Sequence, residues 1–528
     1  MRYWNGVCWR WRGLRYRNRL CWRRWGLRHR NRLCWRRWGL RHRNRLCWRR
    51  WGLRHRNRVR RRRRGLRYWN RLCRRRRGLR YWNRLCRRRW GLRYWNRLCR
   101  KLIMFLRPKL SSDTVIYSEG ERTLFLNPSV PDWISVKNKY VNIFNLFDGQ
   151  NDTDGVFNFI RQNYPNDNTD LLIRQFERLF TQSEIFETNS RTESNRVSNT
   201  KPKYIYLTLT DECNLRCVYC YARERLPARS SSLDQWKRYV DILFGISGDD
   251  LCFTFTGGEP LLVPFIFELA KHIKEKGSRS ILLTNGQSVS ERNAELISEN
   301  FSQVRISLDS ITEDINSNLR GRNSLQKVLE AQKYLEGCKA DVLFVSTVTQ
   351  LNKSELAGFV NFFKGKVSFQ PLFNMGEGRK CGDISINGLE YYESLKSAEV
   401  SSFLPGYKKN IHAFRKRPYK RCALAREELS VGPNGDLYPC HMLHLNEYKM
   451  GNLNNDEIEN LMCGEKYREL NKINVDTLPQ CGACIVRNFC GGGCRARVNL
   501  REEGIIGNDL FCDFEKRSIL DALLYSFG

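Results

Sequence analysis

Residues 204–220 read YIYLTLTDECNLRCVYC. The β-branched and aromatic run from Tyr204 to Thr210 predicts a strand, and straight after it Cys213, Cys217 and Cys220 stand in C-x3-C-x2-C spacing. Three thiols on one short loop converge on a single centre. Structural zinc closes its site with four ligands, whereas an iron-sulfur cluster held by three thiolates leaves one iron open. Working outward, the strand-like runs Cys252–Thr256, Ser280–Thr284, Gln303–Leu308, Asp341–Thr349 and Val367–Phe373 alternate with helical stretches. Such a (βα)6 pattern predicts parallel strands in an α/β fold, with a site at their C-terminal ends, where the cysteine loop falls. The second run is followed by Gly257-Gly258-Glu259-Pro260, in which two glycines let a ligand approach bare backbone.

Taken together, the residues from Tyr204 to about Phe373 resemble a radical SAM core, a partial (βα)6 TIM barrel. The resemblance implies that Cys213, Cys217 and Cys220 hold a [4Fe-4S] cluster whose open iron takes the amino and carboxylate groups of S-adenosylmethionine. It also implies that Tyr219 lies near adenine and that Gly257, Gly258 and Glu259 hold the methionyl amine. Ser307 and Asp309, at the end of the fourth strand, stand where family members contact polar groups of the cofactor; ordinary strand-end capping is the alternative. Arg320 is a further candidate for the cofactor carboxylate.

The C-terminal third carries a second cysteine array. Cys422 is followed by twelve residues to Gly435 and four more to Cys440, then by Cys481-x2-Cys484-x5-Cys490-x3-Cys494 and Cys512. This order resembles the SPASM extension of peptide- and protein-modifying radical SAM enzymes, zinc ribbons being the alternative. The resemblance implies one auxiliary [4Fe-4S] cluster on Cys481, Cys484, Cys490 and Cys512 and another on Cys422, Cys440 and Cys494. An eighth cysteine usual in such relatives is missing between Cys381 and Cys422. The second cluster is therefore expected to have an open iron, filled by a substrate thiolate or by Cys381 or Cys463. Cys252, Cys338, Cys381 and Cys463 otherwise read as plain buried thiols, and His441 and His444 as packing or capping residues.

Between residues 104 and 190 lie three strand-like runs, Thr114–Tyr117, Thr123–Leu126 and Asp132–Val136. Helical patterns follow at Lys139–Phe147, Asp154–Tyr164 and Asp170–Phe180. This winged-helix-like α+β arrangement resembles the PqqD-like domain in which a precursor-peptide leader adds as a strand to a sheet edge. A polar linker is expected over 191–203, separating it from a core at 204–380 and a cysteine-rich domain at 381–528.

Charge sets the first hundred residues apart. Of 94 Lys and Arg, 40 are Arg before residue 101, where no acidic residue occurs, leaving 54 basic against 54 acidic residues beyond. A 13-residue period places Cys8, Cys21, Cys34 and Cys47, then Cys73, Cys86 and Cys99. The unit is shorter than known solenoid repeats and cannot neutralise its own charge. Residues 1–103 are therefore expected to be disordered or an upstream extension of a reading frame starting at Met104, with nucleic acid a partner only if the repeats are expressed. No apolar run is long enough for a membrane helix.

The function implied is a radical SAM peptide maturase. It abstracts hydrogen from a ribosomally made precursor peptide through a 5'-deoxyadenosyl radical, with thioether crosslinking preferred. Its partners are the peptide leader and a reducing electron donor such as flavodoxin or ferredoxin, and its setting is the reducing cytoplasm. Oxidation of a protein Cys or Ser, as in sulfatase maturation, is a second reading; a zinc protein that binds nucleic acid is a third.

Overall fold

A computed structural model describes residues 107–187, 201–223, 230–247, 251–398, 414–415, 418–499 and 504–525, together with the backbone of short strands between residues 8 and 55. The chain divides into two units, Met1–Leu102 and Ile103–Gly528.

In the first unit the sequence period reappears as backbone pairing. Cys8–Trp9, Cys21–Trp22, Cys34–Trp35 and Cys47–Trp48 pair in parallel, each residue with the one thirteen further on. The segments from Leu14–Tyr16 to Leu53–His55 pair the same way. Stacking at this period was not expected from so short a unit; each rung pairs at the same offset of thirteen residues. Cys73, Cys86 and Cys99 lie outside the described residues.

The second unit opens with an antiparallel sheet of β1 (Val115–Glu119), β2 (Arg122–Asn127) and β3 (Asp132–Lys137), with β2 central. A helical turn at Val141–Phe144 and the helices α1 (Thr153–Asn163) and α2 (Thr169–Gln182) follow. Asp152 caps α1 by accepting the Gly155 N–H at 2.8 Å. One face of the sheet meets these helices through phenylalanines, Phe125 stacking on Phe144 with centroids 3.9 Å apart. Leu124, Leu126 and Trp133 form the opposite face. They pack on Phe489 and on Ile519, Leu520 and Leu523 of α10 (Cys512–Tyr525), the last described helix. Arg415 pairs with Asp132 at 2.9 Å, Arg517 pairs with Glu119, and Ser135 and Arg122 donate to the Leu524 carbonyl.

The core is a nine-stranded sheet, and its first six strands lie where the sequence places them. In chain order they are β4 (Tyr204–Thr210), β5 (Cys252–Gly257), β6 (Arg279–Thr284), β7 (Gln303–Ser307), β8 (Val342–Val348) and β9 (Val367–Pro371), all parallel. Helices α3 (Leu233–Ser247), α4 (Ile266–Glu275), α5 (Glu291–Asn300), α6 (Glu313–Arg320), α7 (Ser324–Gly337) and α8 (Leu356–Phe362) make the crossovers. After α9 (Gly388–Ser397), the sheet crosses the boundary expected at residue 381. β10 (Glu428–Val431) pairs in parallel with β4, then β11 (Asp436–Tyr438) and β12 (Gly451–Asn452) continue it antiparallel. The physical reason is the free edge of β4, whose unpaired backbone groups β10 covers. No described helix is long and apolar enough to cross a membrane.

Candidate functional site

The cysteine loop after β4 is zipped to the turn after β5. The Gly258 N–H donates to the Thr210 carbonyl at 2.7 Å and the Glu259 N–H to the Glu212 carbonyl at 2.8 Å. A Cβ on Gly257 would lie 2.3 Å from the Thr210 oxygen and one on Gly258 2.0 Å from the Glu212 oxygen. Glycine is therefore required here by the approach of the protein's own cysteine loop. Glu259, fully buried, accepts from the Leu261 N–H, the Thr284 hydroxyl and the Asn285 N–H at 2.8–3.1 Å. Burial pushes its carboxyl up despite these bonds.

Asn285, which the sequence reading missed, reaches from the end of β6 to the cysteine loop. Its Nδ2 donates to Asn214 Oδ1 at 2.7 Å and lies 3.7 Å from Cys213 Sγ. The only sequence signal was an Asn-Gly pair at a strand end. Burial pushes the Cys213 and Cys217 thiols up, with the charge of Cys220 bearing on both and that of Cys213 also on Cys217.

Tyr219, Asp309 and Arg320, expected as separate cofactor contacts, meet in one buried network. Arg320 Nη1 donates to the Tyr219 hydroxyl at 2.9 Å and lies 3.4 Å from Asp309 Oδ2, to which the same hydroxyl donates. Asp309 Oδ1 accepts the Thr347 N–H at 2.8 Å. The arginine and aspartate charges both reach Cys217. Ser307 is half-buried at the end of β7, in register with Val345 and outside this network.

In the C-terminal region Cys481, Cys484, Cys490 and Cys512 line one cavity. Cys490 accepts the N–H groups of Gly492 and Gly493, which with Gly491 all have positive φ, between 72° and 94°. That left-handed run separates Cys490 from Cys494. Cys494 is grouped instead with Cys422 and Cys440, their charges bearing on one another. Cys422 accepts the N–H groups of Leu424 and Arg495, and Cys440 Sγ accepts the Met442 N–H at 3.4 Å. Asp509 braces this end, accepting the Cys494 N–H at 2.6 Å and a bidentate pair from Arg497 at 2.7 Å. Cys381 donates to the Val218 carbonyl at 3.3 Å, beside the first cysteine loop, and exposed Cys463 faces the Asn460 carbonyl. Cys252 is buried in β5 and Cys338 half-buried after α7. His444 stacks on Tyr438 and lies 2.7 Å from the Ser430 hydroxyl.

The donor chemistry suits iron-sulfur clusters. Arg487 lines the four-cysteine cavity and Arg495 the cavity beside Cys422, and in each the Nε is buried without a hydrogen-bond partner. Sulfide or thiolate acceptors would satisfy them. A pH prediction follows from the thiols. Burial, against the pull of Arg497, pushes Cys494 from 9.0 up to about 11. A raised thiol pKa stabilises the iron-free fold below about pH 9, and that contribution disappears as pH rises through about 11. Iron-bound thiolates have already lost their protons. Urea midpoints of the iron-free chain are therefore expected to fall across this window, while those of the iron-loaded chain stay flatter.

Residues 207–363 match the Radical SAM superfamily model, and residues 422–485 match SPASM, an iron-sulfur cluster-binding domain. Residues 207–363 are thus a radical SAM domain and residues 422–485 a SPASM domain of an enzyme. It uses S-adenosylmethionine and a [4Fe-4S] cluster in the first and auxiliary clusters in the second, which sets aside the zinc protein. Among particular proteins, it is 24% identical to a cysteine-type anaerobic sulfatase-maturating enzyme of Clostridium novyi, over 58% of this chain and 90% of that protein. It is 26% identical to the antilisterial bacteriocin subtilosin biosynthesis protein AlbA of Bacillus subtilis, over 56% and 68%. The fold is shared with anSMEcpe solved with bound AdoMet, at a TM-score of 0.53 and 19% identity, covering 61% of this chain and 93% of that one.

Proposed function

We propose that this enzyme modifies a ribosomally made precursor peptide, and that residues 104–190 act as a PqqD-like, winged-helix-like docking domain for its leader. The observation that carries this reading is the small sheet: among the described residues β1 pairs on one side only, and Ile116 on it is 58% exposed. An extended leader would add there as a fourth strand, its backbone satisfying the open edge.

When bound beside a reduced cluster, S-adenosylmethionine would supply the chemistry of radical hydrogen-atom abstraction. Cys213, Cys217 and Cys220 would hold that cluster. The backbone around Gly257 and Gly258, with Glu259, would face the methionyl end, and Tyr219, Ser307, Asp309 and Arg320 would position the rest. Cys481, Cys484, Cys490 and Cys512 would hold one auxiliary cluster, and Cys422, Cys440 and Cys494 another. Flavodoxin or ferredoxin in a cytoplasmic setting would deliver the electron, and the bond formed is a thioether.

The similarity to a sulfatase-maturating enzyme favours a second reading, oxidation of a protein Cys or Ser. Anaerobic enzyme, dithionite and S-adenosylmethionine, incubated with peptides encoded by small reading frames beside the gene, separate the two. The expected product has lost two hydrogen atoms and a cysteine reactive to alkylation. A product with its thiol replaced by a carbonyl supports maturase-like oxidation, and release of 5'-deoxyadenosine with every peptide unchanged overturns both.

A further inference from the structure

The site of Cys422, Cys440 and Cys494 has three thiols, and neither Cys381 nor Cys463 faces it: one is tied to Val218 and the other is exposed beside Asn460. What stands beside Cys440 is a carboxylate. β10, the strand that covers the edge of β4, begins with Glu428, in register with Tyr204. Among the described residues, one ligand atom from each of Glu428, Cys440 and His441 lies within 4.8 Å of the others. Glu428 is within hydrogen-bond reach of the Cys440 thiol, and its charge also bears on Cys422.

His441 holds this carboxylate in place and is itself held. Its backbone N–H donates to Glu428 Oε1 at 3.1 Å, and its Nδ1 lies 2.7 Å from the same oxygen. Its ring stacks on Tyr206 of β4 with centroids 4.1 Å apart and planes 18° from parallel. Both contacts fall on Oε1. A ligating carboxylate is commonly oriented by such an outer hydrogen bond. A carboxylate also replaces a thiolate without changing the net charge of a cluster.

We propose that Glu428 is the fourth protein ligand of the auxiliary cluster on Cys422, Cys440 and Cys494, with His441 as its positioning residue. The proposal rests on assigning that cluster to those three cysteines, and it replaces an iron left open for substrate with one closed by the protein.

The test uses the full chain with Cys213, Cys217 and Cys220 changed to alanine, reconstituted without oxygen, so that only auxiliary iron remains. Cys440→Ala in that background is expected to remove about four irons per chain; unchanged iron would show that the cysteine assignment itself is wrong. Glu428→Ala is expected to lose about one iron on mild oxidation and give the paramagnetic signal of a [3Fe-4S] cluster, because the unprotected iron leaves first. Glu428→Cys is expected to restore the iron and lower the midpoint potential, since thiolate-only clusters sit below mixed-ligand ones. A cysteine-containing peptide is expected to change the spectrum of Glu428→Ala and leave that of the background chain unchanged. Normal iron loss for Cys440→Ala alongside a Glu428→Ala spectrum identical to the background overturns the proposal. So does a Glu428→Cys chain that fails to regain iron.

Discussion

Alanine at Cys213, Cys217 and Cys220 together is expected to reduce 5'-deoxyadenosine release to background under strong reductant, while removing about four of about twelve irons per chain. The three thiols share one loop, and that loop is fastened to the turn after β5 by two backbone bonds of 2.7 and 2.8 Å. Removing the sulfurs leaves these bonds and the glycine contacts intact, so the sheet is expected to persist. The other seven cysteines assigned to clusters lie beyond residue 421, and their iron is expected to stay. Iron analysis together with chromatography of the nucleoside products reads both parts. Undiminished nucleoside release would show that the cofactor is cleaved elsewhere in the chain.

Arg320→Ala is expected to be the most destabilising single change in the core, by about 3–5 kcal/mol, because it strips a buried carboxylate of its counter-charge. The side chains of Arg320 and Asp309 are 8% and 0% exposed. Without the guanidinium, Asp309 retains the Tyr219 hydroxyl and the Thr347 N–H, neither of which carries charge. Arg320→Met combined with Asp309→Leu is expected to recover most of the loss, since two apolar groups of similar size leave no orphan behind. Lysine at 320 is expected to recover less, as its point charge cannot reproduce the planar fork. Denaturant midpoints of the four proteins form the measurement. An Arg320→Ala midpoint close to that of the unaltered chain would mean that the ion pair contributes little to the fold.

The six parallel strands were legible because such strands are buried on both faces, so their sequences are nearly continuous apolar runs. The cysteine spacings were legible because several thiols must meet on short loops. The missed features all join residues far apart in sequence. β10 has four residues and no pattern of its own, and its role appears only when the edge of β4 is seen to need a partner. Asp309 lies 90 residues from Tyr219, so their meeting has no local signature. Glu428 reads as an ordinary acidic residue opening a strand until His441 arrives thirteen residues later. The closing helix begins at Cys512, so a cysteine expected on an auxiliary cluster is also the first residue of a helix.

That helix starts at a cysteine on the four-thiol cavity and ends against the Trp133 face of the small N-terminal sheet. The cavity and the small sheet are therefore joined through one helix of fourteen residues. An iron-free chain is therefore expected to hold its small N-terminal sheet less firmly than an iron-loaded one.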